Sequence, residues 1–425
     1  MASWAQAAGD ARRVYDTKVK VAQPAQSIIK NRNPISGEIK RIGESFQVGV
    51  LVQPPNSVTY VGSSPTKTSF LTVRPMIVVQ AQALSYEVDI REETPWANFA
   101  RLAESGQQAI DDYFLLLETA MMNVGNTRHE MDLLLGQQSL GTVESVGGSS
   151  SAGTITFTAA TWRGGLFWAM GPGATMDAFT GTTKNNATAA IVLVGVSQST
   201  ARTINITCGG TIGSEIAAGD VIYPEGAWDG TTFYQMPGLV SQAANTTGTS
   251  MGISATTYPN WAGNAATVGG PLTSDVLEQY LGNLRNRAQQ GKLSVYVPET
   301  VWRQIFEEVM GMRYIDSTYS PSNQKIGSSD ITYTTNRFND VEIVVHPFLK
   351  DQETLIQKDA ACTRVGSRDV EFGIPVRLGG NPATPQAAVL QITGTNAAEA
   401  YVTSDAGIIN KEPGCAYSLT GITAS

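Results

Sequence analysis

Histidine and cysteine are scarce in this sequence, which has two histidines and three cysteines among 425 residues. His129 and His346 are far apart, and neither is spaced from a cysteine as zinc ligands are. Cys208, Cys362 and Cys415 are odd in number and share no motif, which favours a reducing compartment over a disulfide framework. We therefore expect synthesis in the cytoplasm and no metal or other cofactor.

Long apolar runs and charged residues are also few. No run of about 18 apolar residues occurs, and the opening MASWAQAAGDARRVYD lacks an apolar core of signal-peptide length. Both absences predict a soluble protein. Only 16% of the residues are charged, which indicates that other molecules, such as further copies of the chain, cover much of its surface. The net charge of −8 argues against nucleic-acid binding by the chain as a whole.

Motifs that carry a reaction are missing. The sequence has no G-x-S-x-G turn, no G-x-x-x-x-G-K-[ST] loop and no G-x-G-x-x-G after a strand. Adjacent acids that could suggest a glycosidase occur at Glu92/Glu93, Asp111/Asp112 and Glu307/Glu308. Neighbouring helix residues point about 100° apart, so the two acids of a pair do not face each other. We therefore expect no enzyme, with a β-rich carboxylate hydrolase as an alternative.

Basic residues are concentrated at the start of the chain. Residues 1–43 hold eight of them against three acids, a charge of +5 that leaves −13 on the remainder. Such an arm can bind a neighbouring subunit or an internal polyanion, or it can be solvated without a specific partner.

A long hairpin is predicted over residues 44–75. SFQVGVLVQ and the later TVRPMIVVQAQALSYEVDI alternate apolar and polar residues, and a turn-rich loop at about 54–71 separates them. A two-stranded ribbon is marginal in water, so its apolar face needs either its own domain or another subunit.

A long helix is predicted over residues 95–124. Thr94 suits the N-cap, Pro95 suits the first helical position, and apolar residues then recur every three or four positions. Gly106 predicts a bend, and Gly125 predicts the end of the helix. A short second helical segment, NTRHEMDLLLGQ, closes at Gly136.

The rest of the chain divides by its periodicity. Residues 142–236 are rich in Gly, Thr, Ser and Ala and show short strands without a convincing helix, which is typical of a small inserted β-barrel or sandwich. Residues 237–378 alternate strands and helices, with Thr273 or Ser274 as a helix cap, and predict an α/β domain. Residues 379–425 predict long strands that return to the long helix.

This order of elements resembles the major capsid proteins of tailed bacteriophages, which have the Hong Kong ninety-seven type fold. HEMDLLLGQ is similar to the family's segment after its spine helix, and MPGLVSQ to the Gly-Leu that follows it, here displaced by the insertion. LTSDVLEQYLGNLRNRAQQGKLSVYVPETVWRQI, NDVEIVVHPFL and AEAYVTSDAGIIN resemble the axial domain and later strands, and TTYPNWAGN a segment of insertion-bearing coat proteins.

The resemblance implies an α+β capsid fold: N-terminal arm 1–43, extended hairpin 44–75, peripheral domain 76–141 with spine helix 95–124, inserted β domain 142–236, axial domain 237–378 and peripheral return strands 379–425. It implies hexamers and pentamers in an icosahedral virion shell around double-stranded DNA, without sequence-specific binding. The candidate inter-subunit contacts are Arg12, Arg13, Lys18, Lys20, Val58, Tyr60, Lys67 and Phe70.

Partners follow from the same resemblance. About 43 residues precede the hairpin, fewer than the fused scaffolding segment of some members, so we expect a separate scaffolding protein, with a portal and a place for decoration proteins. Some members crosslink a hairpin lysine to an asparagine, but Lys67 has only Asn381 in the corresponding region, and we expect no crosslink. An encapsulin-like nanocompartment shell and a tail or baseplate protein are the structural alternatives.

Overall fold

The structure is a computed structural model of the chain. It describes residues 27–37, 39, 41–43, 45–55, 76–95, 107–148, 150–186, 190–197, 202–287, 291–313, 331–335, 338–372, 389–391 and 397–423.

The helices and strands are as follows. The α-helices are α1 (Ile28–Arg32), α2 (Gln107–Leu134), α3 (Gly164–Met170), α4 (Ile212–Glu215), α5 (Leu239–Ala244), α6 (Ser274–Asn286) and α7 (Glu299–Arg313). The first strands are β1 (Arg41–Ile42), β2 (Ser45–Gln53), β3 (Ile77–Leu84), β4 (Tyr86–Pro95), β5 (Gly141–Gly147), β6 (Ala152–Phe157), β7 (Thr175–Thr180), β8 (Thr183–Lys184), β9 (Ile191–Val196), β10 (Thr203–Thr207) and β11 (Val221–Pro224). The later strands are β12 (Thr249–Ser250), β13 (Ile253–Ser254), β14 (Asn264–Thr267), β15 (Leu293–Val297), β16 (Ile331–Thr335), β17 (Phe338–Val345), β18 (Thr354–Gln357), β19 (Cys362–Phe372), β20 (Val389–Gln391), β21 (Ala397–Asn410) and β22 (Tyr417–Thr420).

The bounds predicted for the long helix are wrong at both ends. Thr94 and Pro95, expected to start it, are the last residues of β4, where they pair with Ala398 and Ala397 of β21. Pairing along the whole length of β4 outweighs the local capping signal. Residues 96–106, including Gly106, lie outside the described residues.

Gly125, expected to end the helix, lies in the middle of α2. A Cβ atom at this position would be 2.8 Å from Val370 Cγ1 and 3.0 Å from Val402 Cγ1. The lack of a side chain at Gly125 therefore allows α2 to pack closely on β19 and β21, and Gly125 is not a C-cap. The helix and the predicted second segment form one element, and Gly136, with φ +53°, follows its end as predicted.

The first hairpin strand is present where predicted, but the second, β3, lies beyond the predicted bound at residue 75. The run predicted as one strand divides at Ser85 into β3 and β4, which belong to different sheets. β2 and β3 pair antiparallel, with Leu51 opposite Val78, and β1 adds a short third strand. The apolar face packs on the same chain, where Phe46 and Val48 join a cluster with the buried Trp261. The hairpin tip, residues 56–75, lies outside the described residues.

The segment predicted as a β insertion forms a seven-stranded sheet in the order β11-β5-β6-β10-β9-β7-β8. Strand β11 pairs with both β5 and β7, so six strands close into a ring that has no open edge. The expectation of no helix in this segment is wrong, since it contains α3 and α4. Both are short, and α3 begins with two glycines, which hides it from a periodicity search.

The other strands of the described residues form two larger sheets and the two-stranded pair of β12 and β13. The six-stranded sheet has the order β14-β22-β18-β15-β17-β16, and α6 and α7 bury Leu281 and Ile305 in the cluster that also holds Val295 of β15. Thr273 caps α6, as predicted, by accepting the Val276 amide at 3.4 Å. The second sheet joins β4, β21, β19 and β20. The predicted boundary at residue 378 therefore does not separate the two sheets. β19, which precedes it, pairs with β21, and β22, which follows it, is part of the six-stranded sheet.

One buried cluster connects these parts. Leu134 at the end of α2, Phe157 of the seven-stranded sheet and Tyr296 of the six-stranded sheet belong to it, and each is fully buried. The three regions therefore share a core, which is expected to unfold cooperatively. The α+β prediction is confirmed.

Candidate assembly surfaces and a buried ionic junction

The predicted inter-subunit residues cannot be placed. Arg12, Arg13, Lys18, Lys20, Val58, Tyr60, Lys67 and Phe70 all lie outside the described residues, as does Asn381. The structure tests their surroundings only where the arm and the hairpin enter the body of the chain.

The outward face of the hairpin carries exposed apolar side chains. Leu51 is 51% exposed, its cross-strand partner Val78 49% and Met76 57%. Their neighbours on the inward face, Phe46 and Val52, are buried against the chain itself. One face of the hairpin is thus buried within the subunit, and the other exposes apolar side chains to solvent. Clusters of exposed apolar side chains mark interaction sites.

A groove of about 400 Å³ opens at the base of the hairpin. Its wall combines Gln82 of β3 with Gln137, Ser241 and Asn245, and none of its lining residues is an acid or a histidine. General acid–base hydrolysis needs a titratable pair, and this groove does not provide one.

Residues of two acid pairs lie in structural positions. Glu92 and Glu93 are part of β4. Glu308 accepts hydrogen bonds from the Ser274 amide at 2.7 Å and the Ser274 hydroxyl at 2.8 Å, which satisfies the start of α6. Across the described ranges, no three His, Cys, Asp or Glu side chains are grouped to hold a metal ion.

A buried carboxylate joins three separate parts of the chain. Glu130 of α2, fully buried, accepts the Ile29 amide at 2.5 Å and the Lys30 amide at 3.0 Å, and its Oε1 is 3.1 Å from His346 Nε2. His346 Nδ1 accepts the Phe348 amide, so the ring proton lies on Nε2 and points to Glu130. Burial raises the pKa of Glu130, but the hydrogen bonds from His346 and from the backbone amides of Ile29 and Lys30 lower it by more. The pKa of Glu130 therefore lies below its ordinary value.

A second set of charges lies one turn away. Lys30 Nζ is 2.7 Å from Asn126 Oδ1 and 3.1 Å from Asp369 Oδ1, and Arg364 pairs with the same carboxylate at 2.8 Å. The guanidinium of Arg364 also donates to His129 Nε2 at 2.8 Å. Burial and the charge of Arg364 lower the pKa of His129 to about 3, so His129 is a neutral acceptor.

A third set faces the six-stranded sheet. Arg32 Nη1 is 3.0 Å from Asp359 Oδ2 and 3.3 Å from Ser294 Oγ, and its Nη2 donates to Glu342. Its guanidinium lies 5.9 Å from the centre of the Tyr296 ring. Lys30 and Arg32 are two of the eight basic residues in the predicted arm, and both form ion pairs within the subunit.

Sequence reasoning missed this junction because its residues are far apart in the chain. Glu130 and His346 are 216 residues apart, and Arg32 and Asp359 are 327 apart. One signal was nonetheless present in the sequence. His346 directly follows the mostly apolar run VEIVV at the end of β17, where a polar side chain requires a buried partner.

Among the described helices, none combines the length and apolar character that crossing a membrane requires.

Comparison with known proteins gives a result for structure but not for sequence. No protein-family model matches the sequence, and no curated protein matches it. The cyanophage A-1(L) capsid chain is similar in structure, with a TM-score of 0.55 and 10% sequence identity over 97% of this chain and 98% of that one. Structures from Gordonia phage Cozz (TM-score 0.43, 9% identity, 97% and 91% covered) and Mycobacterium phage Ogopogo (0.42, 9%, 96% and 96%) are more distantly similar. The similarity to the cyanophage A-1(L) capsid chain shows that this chain has a phage-capsid fold.

Proposed function

We propose that this chain is the major capsid protein of a tailed bacteriophage. It assembles as hexamers and pentamers into the icosahedral shell of the virion, which encloses double-stranded DNA without sequence-specific contacts. The observation that supports this most is the similarity to the cyanophage A-1(L) capsid chain, because it covers 97% of this chain and 98% of that one. The role is structural, not enzymatic, and the partners are other copies of the chain, a scaffolding protein, a portal and decoration proteins.

The elements take the following roles in this proposal. Residues 1–43 are the arm, 44–75 the extended hairpin, 76–141 and 379–425 the peripheral domain, 142–236 the insertion and 237–378 the axial domain. Three strands are reassigned: β3 to the hairpin, β19 to the peripheral sheet and β22 to the axial sheet. Helix α2 is the spine helix. The hairpin lies across a neighbouring subunit, which would cover Leu51 and Val78 on its open face.

The contact between the two ends of the insertion supports its assignment. Gly136, just after α2, forms an isolated antiparallel bridge with Pro237, and the 100 residues between them form the closed ring and its loops. The chain thus leaves the body at Gly136 and returns to it at Pro237, which are in contact.

Electron microscopy and sedimentation test the proposal. The purified chain, alone and with a scaffolding protein from the same genome, is expected to form closed isometric particles tens of nanometres across. Protein cargo in place of DNA would indicate a nanocompartment, and rings or fibres would indicate a tail protein. A chain that stays monomeric under both conditions would contradict a shell function.

A further inference from the structure

Residues 27–37, here called the strap, contact two bodies of the molecule at once. The first body is α2 with the sheet of β4, β21 and β19. The second is the six-stranded sheet with α6 and α7. The strap lies between them, and Ile29 at its centre is fully buried in the shared core.

The strap directs one cation to each body. Lys30 reaches Asn126 of α2 at 2.7 Å and Asp369 of β19 at 3.1 Å. Arg32, two residues later, reaches Asp359 at 3.0 Å and Glu342 of β17 in the other direction. A short helical turn with two basic residues therefore bridges carboxylates that belong to different sheets.

The backbone of the strap is held by the same junction. Glu130 of α2 accepts hydrogen bonds from the Ile29 and Lys30 amides. It also accepts one from Nε2 of His346, which follows β17. Further along, the Ser36 amide donates to the Arg364 carbonyl at 2.9 Å. The strap therefore cannot leave without removing partners from buried groups in both bodies, and unpartnered buried groups are costly.

We propose that the strap is an orientation device, which holds the body of α2 and β19 at one angle to the six-stranded sheet. On the proposed capsid function, this angle sets the shape of the subunit and hence the curvature of the shell. Lys30, Arg32 and Glu130 are positioning residues in this device.

The test uses the unassembled full-length chain and four substitutions. Arg32→Ala removes the contact with the six-stranded sheet, and Lys30→Met removes the contact with β19. Lys292→Ala is the matched control, because Lys292 pairs with the same Glu342 at 2.6 Å but lies outside the strap. Arg32→Lys retains the charge and is expected to restore most of the wild-type behaviour.

Two measurements on this chain report on the strap. Hydrogen exchange at the Ile29 and Lys30 amides is expected to be about tenfold faster in Arg32→Ala than in Lys292→Ala, because loss of a charged hydrogen bond favours opening of the strap. Spin labels are attached at Glu87→Cys on β4 and Gln279→Cys on α6 in a Cys415→Ser background. The distance between them reports the angle between the two bodies. Wild type and Lys292→Ala should give one narrow distance distribution, whereas Arg32→Ala and Lys30→Met should give a broad one.

Narrow, unchanged distributions in both strap variants would overturn the proposal, whether or not particles form. When particles form, Arg32→Ala is expected to yield a wider range of diameters than Lys292→Ala. Failure of the wild-type chain to form particles would contradict the capsid function, yet the exchange and distance measurements would still decide the role of the strap.

Discussion

The backbones of Gly136 and Gly238 touch at the point where the chain enters and leaves the seven-stranded sheet. A Cβ atom on Gly136 would lie 2.2 Å from the Gly238 nitrogen, and one on Gly238 would lie 2.6 Å from the Gly136 nitrogen. Gly136 also has φ +53°, a backbone conformation that is unfavourable for residues other than glycine. These two glycines therefore allow a segment of about 100 residues to be inserted between consecutive parts of the body without separating them.

Alanine at either position is expected to destabilise the chain. Overpacking costs about 1–3 kcal/mol, and the left-handed backbone of Gly136 adds about 1 kcal/mol. Gly136→Ala should therefore lower the free energy of unfolding more than Gly238→Ala does. Urea unfolding of the unassembled chain measures both. Gly213→Ala is the control, because a Cβ there meets nothing within 4 Å. Equal stability of all three variants would show that the contact between the two ends is not tight.

Arg163 is expected to couple the seven-stranded sheet to the six-stranded sheet. Its side chain is fully buried, donates to Gln138 Oε1 at 2.7 Å, and lies 3.8 Å from the buried carboxylate of Glu353. Burial lowers the pKa of Arg163 to about 10, although the Glu353 charge opposes this. Arg163→Met leaves Glu353 without this partner and should cost about 3 kcal/mol in unfolding free energy.

The double variant Arg163→Met/Glu353→Met should recover part of that loss, since it removes both buried charges. Arg202→Met breaks an exposed pair with Glu144 in the same sheet and should cost only about 0.5 kcal/mol. A double variant that is less stable than Arg163→Met would mean that Glu353 stabilises the fold through other contacts.

The sequence predicts this molecule well where the signal is local. The first strand of the hairpin, the buried run of β15 and the cap of α6 depend on alternation, on apolar content and on one threonine, and all three are confirmed. Thr94 and Pro95 show the limit of such signals. They read as a helix start, yet β21 offers β4 a full row of partners up to Ala397, and tertiary pairing decides the structure.

The junction around Glu130 could not be predicted from the sequence. It depends on which helix faces which sheet, and partners 100 to 327 residues apart leave no local pattern. The resemblance in the order of elements indicates the fold but not these contacts, because the order of elements does not determine which side chains meet.

Asp132 is expected to make stability depend on pH. It is 5% exposed on α2 and accepts a hydrogen bond from Gln235 at 2.9 Å. Burial raises its pKa from 3.8 to about 7, against the charge of Arg128. Between about pH 4 and pH 7 the folded state therefore binds more protons at this site than the unfolded state does, and stability from this group falls as the pH rises, by roughly 1.4 kcal/mol per pH unit.

Asp132→Asn should remove this dependence. Urea unfolding at pH 5 and pH 8 is expected to show a smaller loss of stability between the two conditions in the variant than in wild type. Asp275→Asn, in the exposed first turn of α6, is the control and should follow wild type. An Asn variant with the wild-type pH dependence would assign that dependence to other groups.

The open face of the hairpin provides a test that separates assembly from folding. Leu51 and Val78 are opposite each other across β2 and β3, and about half of each side chain is exposed. Aspartate at either position should change the unfolding free energy of the unassembled chain by about 0.5 kcal/mol or less, since neither side chain is in the core. If another subunit covers this face, the same change places an unpaired charge in an apolar interface and should abolish particle formation.

Val194→Asp is the matched control, because Val194 is also about half exposed but lies on the seven-stranded sheet. Particle yield from sedimentation and the free energy of unfolding are measured on the same preparations. Normal particles from both hairpin variants would contradict the proposed position of the hairpin across a neighbour. Loss of particles in Val194→Asp as well would extend the subunit contacts to the insertion, which would then connect neighbouring subunits in addition to stabilising its own.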